Sequence, residues 1–138
     1  MAHVMIVDDD EDFASAAATG LRAAGHRVQI ELETSAALRS MTQRAPDLVI
    51  LDVMFPESSS AGFDLARQMR ETAAKLGAIP VLMLTAVNQR FPLGFSARDI
   101  DDEWLPVHDF LEKPVDIETL RSKVAAMLAG GGRSPTSR

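Results

Sequence analysis

Short apolar runs alternate with amphipathic segments along the chain. Runs over 4–7, 48–51 and 79–84 are typical of strands buried on both faces of a parallel sheet. Alternating apolar residues over 28–32 predict a strand with one more exposed face, and 109–111 predicts a short final strand. Apolar residues at helical spacing lie between these strands. The pattern therefore predicts an α/β domain built on a doubly wound, five-stranded parallel sheet.

The predicted helices carry recognisable start and stop signals. The acidic run from Asp8 to Asp12 favours the dipole of a first helix, which Gly25 is placed to end. Thr34 or Ser35 is the predicted cap of the second helix. The third helix is predicted over about 62–75, where apolar residues again recur at helical spacing.

The segment 88–107 departs from this regular pattern, because the fourth helix that the alternation requires is not recognisable there. Beyond it, Asp116 is the predicted cap of the last helix. Three consecutive glycines at 130–132 are expected to stop that helix. We therefore predict one domain over 3–128, with its helix 4 region remodelled, and a flexible C-terminal tail over 129–138.

Composition narrows the class of protein. The 138 residues carry a net charge of −6, which argues against a direct nucleic-acid partner and against an acidic membrane surface. Cysteine is absent, which excludes disulfides, thiolate metal sites and a cysteine nucleophile. No apolar run approaches the length of a membrane span, and no signal peptide is recognisable. A cytoplasmic location is the resulting expectation.

Polar residues with related chemistry follow four of the predicted strands. Asp8 and Asp9 follow the first strand, Asp52 the third, Thr85 the fourth and Lys113 the fifth. Ligand sites of doubly wound sheets lie at the carboxyl ends of the strands. We therefore expect three carboxylates, a hydroxyl and an ammonium group to meet at one edge of the sheet.

This set of side chains suits metal-assisted phosphoryl transfer. Clustered carboxylates are typical ligands of Mg²⁺, and an aspartate can attack a phosphoryl group to form an acyl phosphate. Lys113 would add positive charge around the phosphoryl oxygens, and Thr85 could donate a hydrogen bond to one of them. Without a metal the carboxylates repel one another, so at least one pKa should rise.

Across residues 3 to 128 the chain resembles the receiver domain of two-component response regulators. The motifs that carry the resemblance stand in the family's order and are specific as a set: Ile6-Val7-Asp8-Asp9-Asp10, Asp47-Leu48-Val49-Ile50-Leu51-Asp52-Val53-Met54, Pro56 with Gly62, Pro80-Val81-Leu82-Met83-Leu84-Thr85-Ala86, and Phe110-Leu111-Glu112-Lys113-Pro114. The resemblance implies a flavodoxin-like sheet with the strand order 2-1-3-4-5.

The resemblance also implies roles for single residues. Asp52 would be the phosphoacceptor, and Asp8 and Asp9 would hold Mg²⁺ together with Asp52 and the backbone carbonyl of Met54. Lys113 would pair with Asp52 or its phosphate. The switch residues would be Thr85, whose hydroxyl moves towards the phosphoryl group, and the aromatic Phe110.

The resemblance implies partners as well. A histidine kinase or a phosphotransfer protein would donate the phosphoryl group from phosphohistidine. A homodimer through the face of helix 4, strand 5 and helix 5 stays open, and so does the downstream protein target. A signalling domain of this kind is not an enzyme, apart from slow self-dephosphorylation.

Two segments depart from the family's pattern. The loop from Pro56 to Gly62 is slightly expanded, and the interval from Thr85 to Lys113 is longer than usual. The second segment holds Trp104, the only tryptophan. Its aromatic residues either anchor an irregular loop on the sheet edge or form a partner surface. The sequence thus matches the family closely at the residues of the phosphorylation site. It matches less closely in the region through which family members signal to their partners.

Three other functions stay open on the sequence alone. An aspartyl-phosphate hydrolase of the haloacid-dehalogenase type also uses an aspartate, Mg²⁺ and lysine, but it requires a D-x-D signature after the first strand. A flavodoxin-like cofactor binder requires a phosphate-binding loop where this chain has Asp8, Asp9 and Asp10. A receiver-like module that signals without phosphorylation would keep the same residues.

Overall fold

The computed structural model describes residues 2–52, 61–72, 78–86, 109–113 and 115–131. Within these ranges five strands form one sheet. Their bounds are β1 (His3–Val7), β2 (Arg27–Glu31), β3 (Leu48–Asp52), β4 (Val81–Ala86) and β5 (Asp109–Lys113).

All neighbouring strands are parallel, and their order is β2-β1-β3-β4-β5. The predicted fold class and strand order are therefore confirmed. The last two strands extend further than their apolar runs predict. Thr85 lies within β4 and pairs with Glu112, and Lys113 is the final residue of β5.

Four α-helices are present in the described ranges: α1 (Glu11–Ala23), α2 (Thr34–Gln43), α3 (Ala61–Thr72) and α4 (Ile117–Ala126). α4 is the last helix of the sequence prediction. The predicted remodelling of the helix 4 region concerns residues 88–107, which lie outside the described residues, as do 53–60 and the tail from 132 onward.

The sheet is covered on both faces, and each face has its own core. One cluster joins the strands to α2 and α3 through Met41, Leu65 and Met69. The other joins the strands to α1 and α4 through Leu21, Leu120 and Val124. Burial on both faces explains why the central strands form continuous apolar runs in the sequence.

Local signals set both ends of α1 as predicted. Asp10 is its N-cap, and its carboxylate accepts a hydrogen bond from the Phe13 N–H at 3.1 Å. At the other end Gly25 has φ of 100°, a left-handed conformation that glycine adopts without a Cβ penalty. The N–H groups of Gly25 and His26 donate to the carbonyls of Arg22 and Leu21. These two bonds make a Schellman motif.

The start of α2 and the end of α4 differ from the sequence prediction. α2 has Glu33 as its N-cap, without a side-chain hydrogen bond, so the predicted cap at Thr34 or Ser35 is wrong. The backbone becomes helical at Thr34, which puts both hydroxyls inside the first turn. After α4 a π-helical turn runs over Met127–Gly131. Met127 is buried against the core, and helical structure continues past the predicted boundary at 128.

α1 and α4 pack closely at one glycine. A Cβ added at Gly20 would overlap Ile117 Cγ2. Both helices lie on the face of the sheet that contains the second core cluster, so a glycine at this position sets how near they can approach. In the described parts of the chain, no helix combines the length and apolar character that crossing a membrane requires.

Candidate functional site

The carboxyl edge of the sheet brings together the ends of β1, β3 and β5. Asp8 directly follows β1, Asp52 ends β3 and Lys113 ends β5. Each lies two positions beyond an apolar residue that packs towards α1 and α4. Because side chains alternate along a strand, the three polar groups project to that same face.

Three carboxylates form the centre of the site. One carboxylate oxygen from each of Asp8, Asp9 and Asp52 lies within 4.8 Å of the other two. Asp8 is fully buried and Asp52 is 8% exposed, whereas Asp9 is exposed to solvent. The cluster that the sequence predicts from strand ends is therefore present, and it opens to solvent on the side of Asp9.

Lys113 supplies the positive charge of the site. Its Nζ donates a hydrogen bond to Asp8 Oδ2 at 3.0 Å and lies 3.6 Å from Asp52 Oδ1. The lysine side chain is 24% exposed, so the pairs are only partly screened by water. One ammonium group thus forms ion pairs with two buried carboxylates.

Asp8 is held in place at both of its carboxylate oxygens. Oδ1 accepts a hydrogen bond from the Asp10 N–H at 2.9 Å, while Oδ2 accepts the bond from Lys113. The backbone N–H of Asp8 donates to the Glu31 carbonyl at 3.1 Å. These bonds fix the orientation of the carboxylate before any ligand binds.

Burial and mutual repulsion shift the pKa values of the acids. Burial raises the pKa of Asp52 to about 6, and the charge of Asp8 adds to this rise while Lys113 opposes it. Burial also raises the pKa of Asp8, against the hydrogen bonds from Asp10 and Lys113. Burial lowers the pKa of Lys113, but its hydrogen bond to Asp8 and the surrounding negative charge outweigh burial, so that pKa is raised.

The chemistry of this donor set fits a hard divalent cation. Mg²⁺ prefers oxygen ligands and is bound through one or two carboxylates, with water and phosphate oxygens completing its shell. Asp9 and Asp52 offer carboxylate oxygens near the open side of the cluster. Both oxygens of Asp8 already accept hydrogen bonds, which favours contact with a cation through water.

Phe13 is a site residue that sequence reasoning missed. The Nζ of Lys113 lies 4.8 Å from the centre of the Phe13 ring, a cation–π distance. The sequence indicates Phe13 only as part of the apolar face of α1. Its signal was its position in the first turn of α1, directly after the acidic run, which puts it at the end of the helix nearest the acidic cluster.

Comparison with known proteins identifies the family. The model of the response regulator receiver domain matches residues 4–125. The chain belongs to this family. The resemblance inferred from the strand-end motifs is therefore confirmed, and the chain is a receiver domain of the kind that works in two-component signal transduction.

Relatives of the receiver include both short and long proteins. It is 32% identical to protein PilH of Pseudomonas aeruginosa over 130 residues, which cover 94% of this chain and all of that protein. It is 29% identical to the transcriptional regulatory protein AfsQ1 of Streptomyces coelicolor, over 99% of this chain and 55% of that protein. The receiver thus spans about half the length of AfsQ1.

Solved structures agree with this assignment. A CheY-like receiver domain from Methanospirillum hungatei superposes with a TM-score of 0.75 at 28% identity, covering 93% of this chain and 94% of that one. The receiver domain of NtrX from Brucella abortus gives a TM-score of 0.73 at 25% identity, covering 91% and 98%. Both share the fold that places the acidic cluster.

The two predicted switch residues lie on the other face of the receiver's sheet. Phe110 is partly buried and packs against the core beside α2 and α3. Thr85 is half-buried in β4, two residues beyond Met83 of that same core. Among the described residues, the Thr85 hydroxyl makes no hydrogen bond to Asp52. The switching role of both residues stays a prediction.

Other predicted features of the receiver fall beyond the described ranges. The Met54 carbonyl, predicted as a metal ligand, lies outside the described residues. So do Pro56, Trp104 and Pro114. The described part of the site consists of five side chains, those of Asp8, Asp9, Asp52, Lys113 and Phe13.

Proposed function

We propose that the receiver accepts a phosphoryl group on Asp52 from the phosphohistidine of a histidine kinase or a phosphotransfer protein, in a reaction that depends on Mg²⁺. The observation that carries this proposal is the meeting of three carboxylates within 4.8 Å beside the Lys113 ammonium group. Two of these acids, Asp8 and Asp52, are buried, which costs free energy. Metal-assisted phosphoryl transfer is a function that requires such a cluster.

In the proposed reaction, an Asp52 carboxylate oxygen attacks the phosphorus atom of phosphohistidine. The new bond is O–P, the bond that breaks is N–P, and the imidazole of the donor leaves and takes up a proton. Asp52 must be ionised to attack. Its pKa of about 6 keeps most of the carboxylate ionised near neutral pH.

Residues around Asp52 would prepare the site for this step. Asp8, Asp9 and Asp52, with the Met54 carbonyl, would hold Mg²⁺. When bound, the cation supplies positive charge that offsets the clustered carboxylates and the incoming phosphoryl oxygens. Lys113 contributes a second positive charge at 3.6 Å from Asp52. Asp8, which is buried and accepts two hydrogen bonds, keeps the lysine in a fixed position.

Phosphorylation would change the balance of charge around Lys113. A phosphoryl group on Asp52 brings additional negative charge and acceptor oxygens, which compete with Asp8 for the ammonium group. We propose that Thr85 and Phe110 transmit this change as a shift between inactive and active conformations. Phe110 packs against the core, so its movement would alter the packing beneath α2 and α3.

The output of the receiver would be a change in protein–protein contacts. The output could take the form of a homodimer. Its interface would combine the segment 88–107, where the family has its fourth helix, with β5 and the last helix α4. A separate protein target is the other possible form of output. Turnover would be limited to slow self-dephosphorylation, so we do not propose an enzyme.

The proposal is tested by incubating the full chain with acetyl phosphate and Mg²⁺ and then measuring its intact mass. Wild type should gain the mass of one phosphoryl group, and removal of Mg²⁺ with a chelator should abolish the gain. Asp52→Asn should gain nothing. A receiver that signals without phosphorylation would show no gain in wild type either, and the proposal would then be wrong.

A matched control separates Asp52 from the general acidity of this region. Asp12 lies in the first turn of α1, exposed and outside the carboxylate cluster. Asp12→Asn removes the same charge as Asp52→Asn and should leave the phosphoryl gain unchanged. Equal loss in both variants would indicate that net charge, and not the nucleophile, limits the reaction.

A further inference from the structure

A small cavity lies at the amino-terminal edge of the sheet, opposite the acidic cluster. It has a volume of about 230 Å³ and is lined by Ala2, His3, Arg27, Arg44 and Asp47. His3 and Arg27 begin β1 and β2, and Asp47 directly precedes β3. Because β1 separates His3 from Asp8, the cavity lies roughly 16 Å from the acidic cluster.

The lining of this cavity is basic in a protein that is acidic overall. Arg27 and Arg44 contribute two positive charges and Asp47 one negative charge, whereas the chain as a whole has a net charge of −6. Within the described residues, neither guanidinium group lies within ion-pair distance of a carboxylate. Two arginines whose guanidinium groups have no ionic partner in that part of the chain therefore line the same cavity.

Two of the lining residues, Asp47 and His3, are hydrogen-bonded to each other. Asp47 Oδ2 accepts a hydrogen bond from the His3 N–H at 2.8 Å, and the Asp47 N–H donates to the His3 carbonyl at 2.7 Å. This reciprocal pair engages the only carboxylate of the lining. The His3 ring makes no hydrogen bond in the described part of the chain, and its Nδ1 is buried without a partner.

We infer that this cavity is a binding site for a phosphate-type dianion. A phosphomonoester carries close to two negative charges at neutral pH and three acceptor oxygens. Two guanidinium groups can match both charges, because arginine forms paired hydrogen bonds with phosphate oxygens. The His3 ring offers a further polar group. A volume of about 230 Å³ holds roughly eight waters at about 30 Å³ each, which suits a small anion or a single phosphorylated side chain.

The site is independent of the chemistry proposed for Asp52. It shares no residue with the carboxylate cluster and lies at the other edge of the sheet. An anion bound there would link β1, β2 and the end of α2. A phosphate-type ligand would thereby stabilise the folded receiver without occupying the site of phosphoryl transfer.

The inference is tested by titrating the metal-free, ¹⁵N-labelled full chain with inorganic phosphate. Saturable shifts of the Arg27 and Asp47 amide signals are expected, because both residues line the cavity. Arg27→Gln/Arg44→Gln should weaken binding by about tenfold or more, since each lost guanidinium removes charge-assisted hydrogen bonds. Shifts that stay linear with concentration in wild type would overturn the inference.

The matched control is Arg39→Gln/Arg70→Gln, which removes the same charge from exposed positions on α2 and α3 outside the cavity. It should bind phosphate as wild type does. Equal weakening in both double variants would show nonspecific attraction and overturn the site. Acetyl phosphate should still phosphorylate Arg27→Gln/Arg44→Gln, which separates a failure of this inference from a failure of the proposed function.

A second arm identifies the source of the anion. A short peptide with one phosphoserine and its unphosphorylated copy are titrated in the same way. Tighter binding of the phosphopeptide than of inorganic phosphate supports the site and assigns a protein ligand. Binding of inorganic phosphate at equal or higher affinity supports the site and assigns a small molecule. If neither phosphate source binds saturably, the inference is wrong.

Discussion

Lys113 Nζ lies 3.0 Å from Asp8 Oδ2 and 3.6 Å from Asp52 Oδ1. The hydrogen bond of the lysine therefore goes to the fully buried acid, and its longer ion pair goes to the proposed phosphoacceptor. The resemblance to the receiver family implies that Lys113 pairs with Asp52 or its phosphate. In the unphosphorylated receiver, the lysine primarily offsets the burial of Asp8.

Replacing Lys113 should therefore destabilise the metal-free receiver. Lys113→Met leaves two buried carboxylates without their cation, and we expect the free energy of unfolding to fall. The loss should be smaller than the roughly 3–5 kcal/mol of a fully buried pair, because the Lys113 side chain is 24% exposed. The measurement is urea unfolding in the presence of a chelator. Added Mg²⁺ should restore part of the loss, because the cation offsets the same carboxylates.

Lys123→Met is the matched control for Lys113→Met. Lys123 Nζ lies 2.8 Å from Asp109 Oδ2, but both side chains are about a third exposed. An exposed pair contributes only about 0–1 kcal/mol. If the two lysine variants lose the same stability, the burial of Asp8 does not govern the role of Lys113.

The raised pKa of Asp52 makes the metal-free receiver sensitive to pH. Burial and the neighbouring acids raise this pKa from an ordinary value of 3.8 to about 6. A raised carboxyl pKa contributes stability that is fully present below the unfolded pKa and is lost as pH rises through the folded pKa. This contribution should therefore disappear between about pH 4 and pH 6.

Asp52→Asn removes that dependence, because an amide does not ionise. Without metal, the variant should be more stable than wild type near pH 8, by up to about 3 kcal/mol, and should lose this advantage near pH 4. Urea unfolding at both pH values measures the difference. A constant difference between the two proteins across this range would contradict the assigned pKa.

The contact between Lys113 and Phe13 should have a measurable coupling energy. The free energies of unfolding of Phe13→Leu, Lys113→Met and the double variant form a double-mutant cycle. The cycle separates the coupling energy from the loss of packing that each single change causes. At 4.8 Å, a partly exposed cation–π pair is worth about 0.5–1 kcal/mol. Phe13→Trp should retain the coupling. Additivity of the two single changes within error would rule out a stabilising cation–π contact between Phe13 and Lys113.

Gly20→Ala should destabilise the fold, although alanine is the better helix former. Helix propensity alone would favour alanine by about 1 kcal/mol, but its Cβ would overlap Ile117 Cγ2. Overpacking of this kind costs about 1–3 kcal/mol. Ile117→Ala in the same chain should relieve the cost, which thermal unfolding of the single and double variants can measure. Greater stability of Gly20→Ala alone would contradict the close packing of α1 and α4.

The fold was predictable because its elements follow local rules. Buried parallel strands produce continuous apolar runs, and Gly25 ends α1 through its own conformation. The helix ends were less predictable where backbone geometry, and not residue type, determines the boundary. Threonine is a residue type that favours the N-cap position, yet at Thr34 the helix has already begun. Met127 begins a turn that continues helical structure into glycines that were expected to stop it.

The candidate site was predictable for those residues whose positions are set by the ends of strands. Asp8, Asp9, Asp52 and Lys113 meet because the carboxyl ends of parallel strands share an edge. The partner of Lys113 and the contact with Phe13 depend on side-chain orientation, which spacing alone does not fix. The basic cavity at the opposite edge gave no sequence signal, since its two arginines belong to different elements.

Locating the phosphoryl group tests the central claim most directly. The receiver is phosphorylated with acetyl phosphate and Mg²⁺, treated with borohydride to reduce any acyl phosphate, digested and sequenced by mass spectrometry. Asp52 alone should be reduced, as an acyl phosphate at that residue requires, and omission of Mg²⁺ should prevent the reduction. Reduction at Asp8 or Asp9 instead, or no reduction at Asp52, would contradict the assignment of Asp52 as the phosphoacceptor.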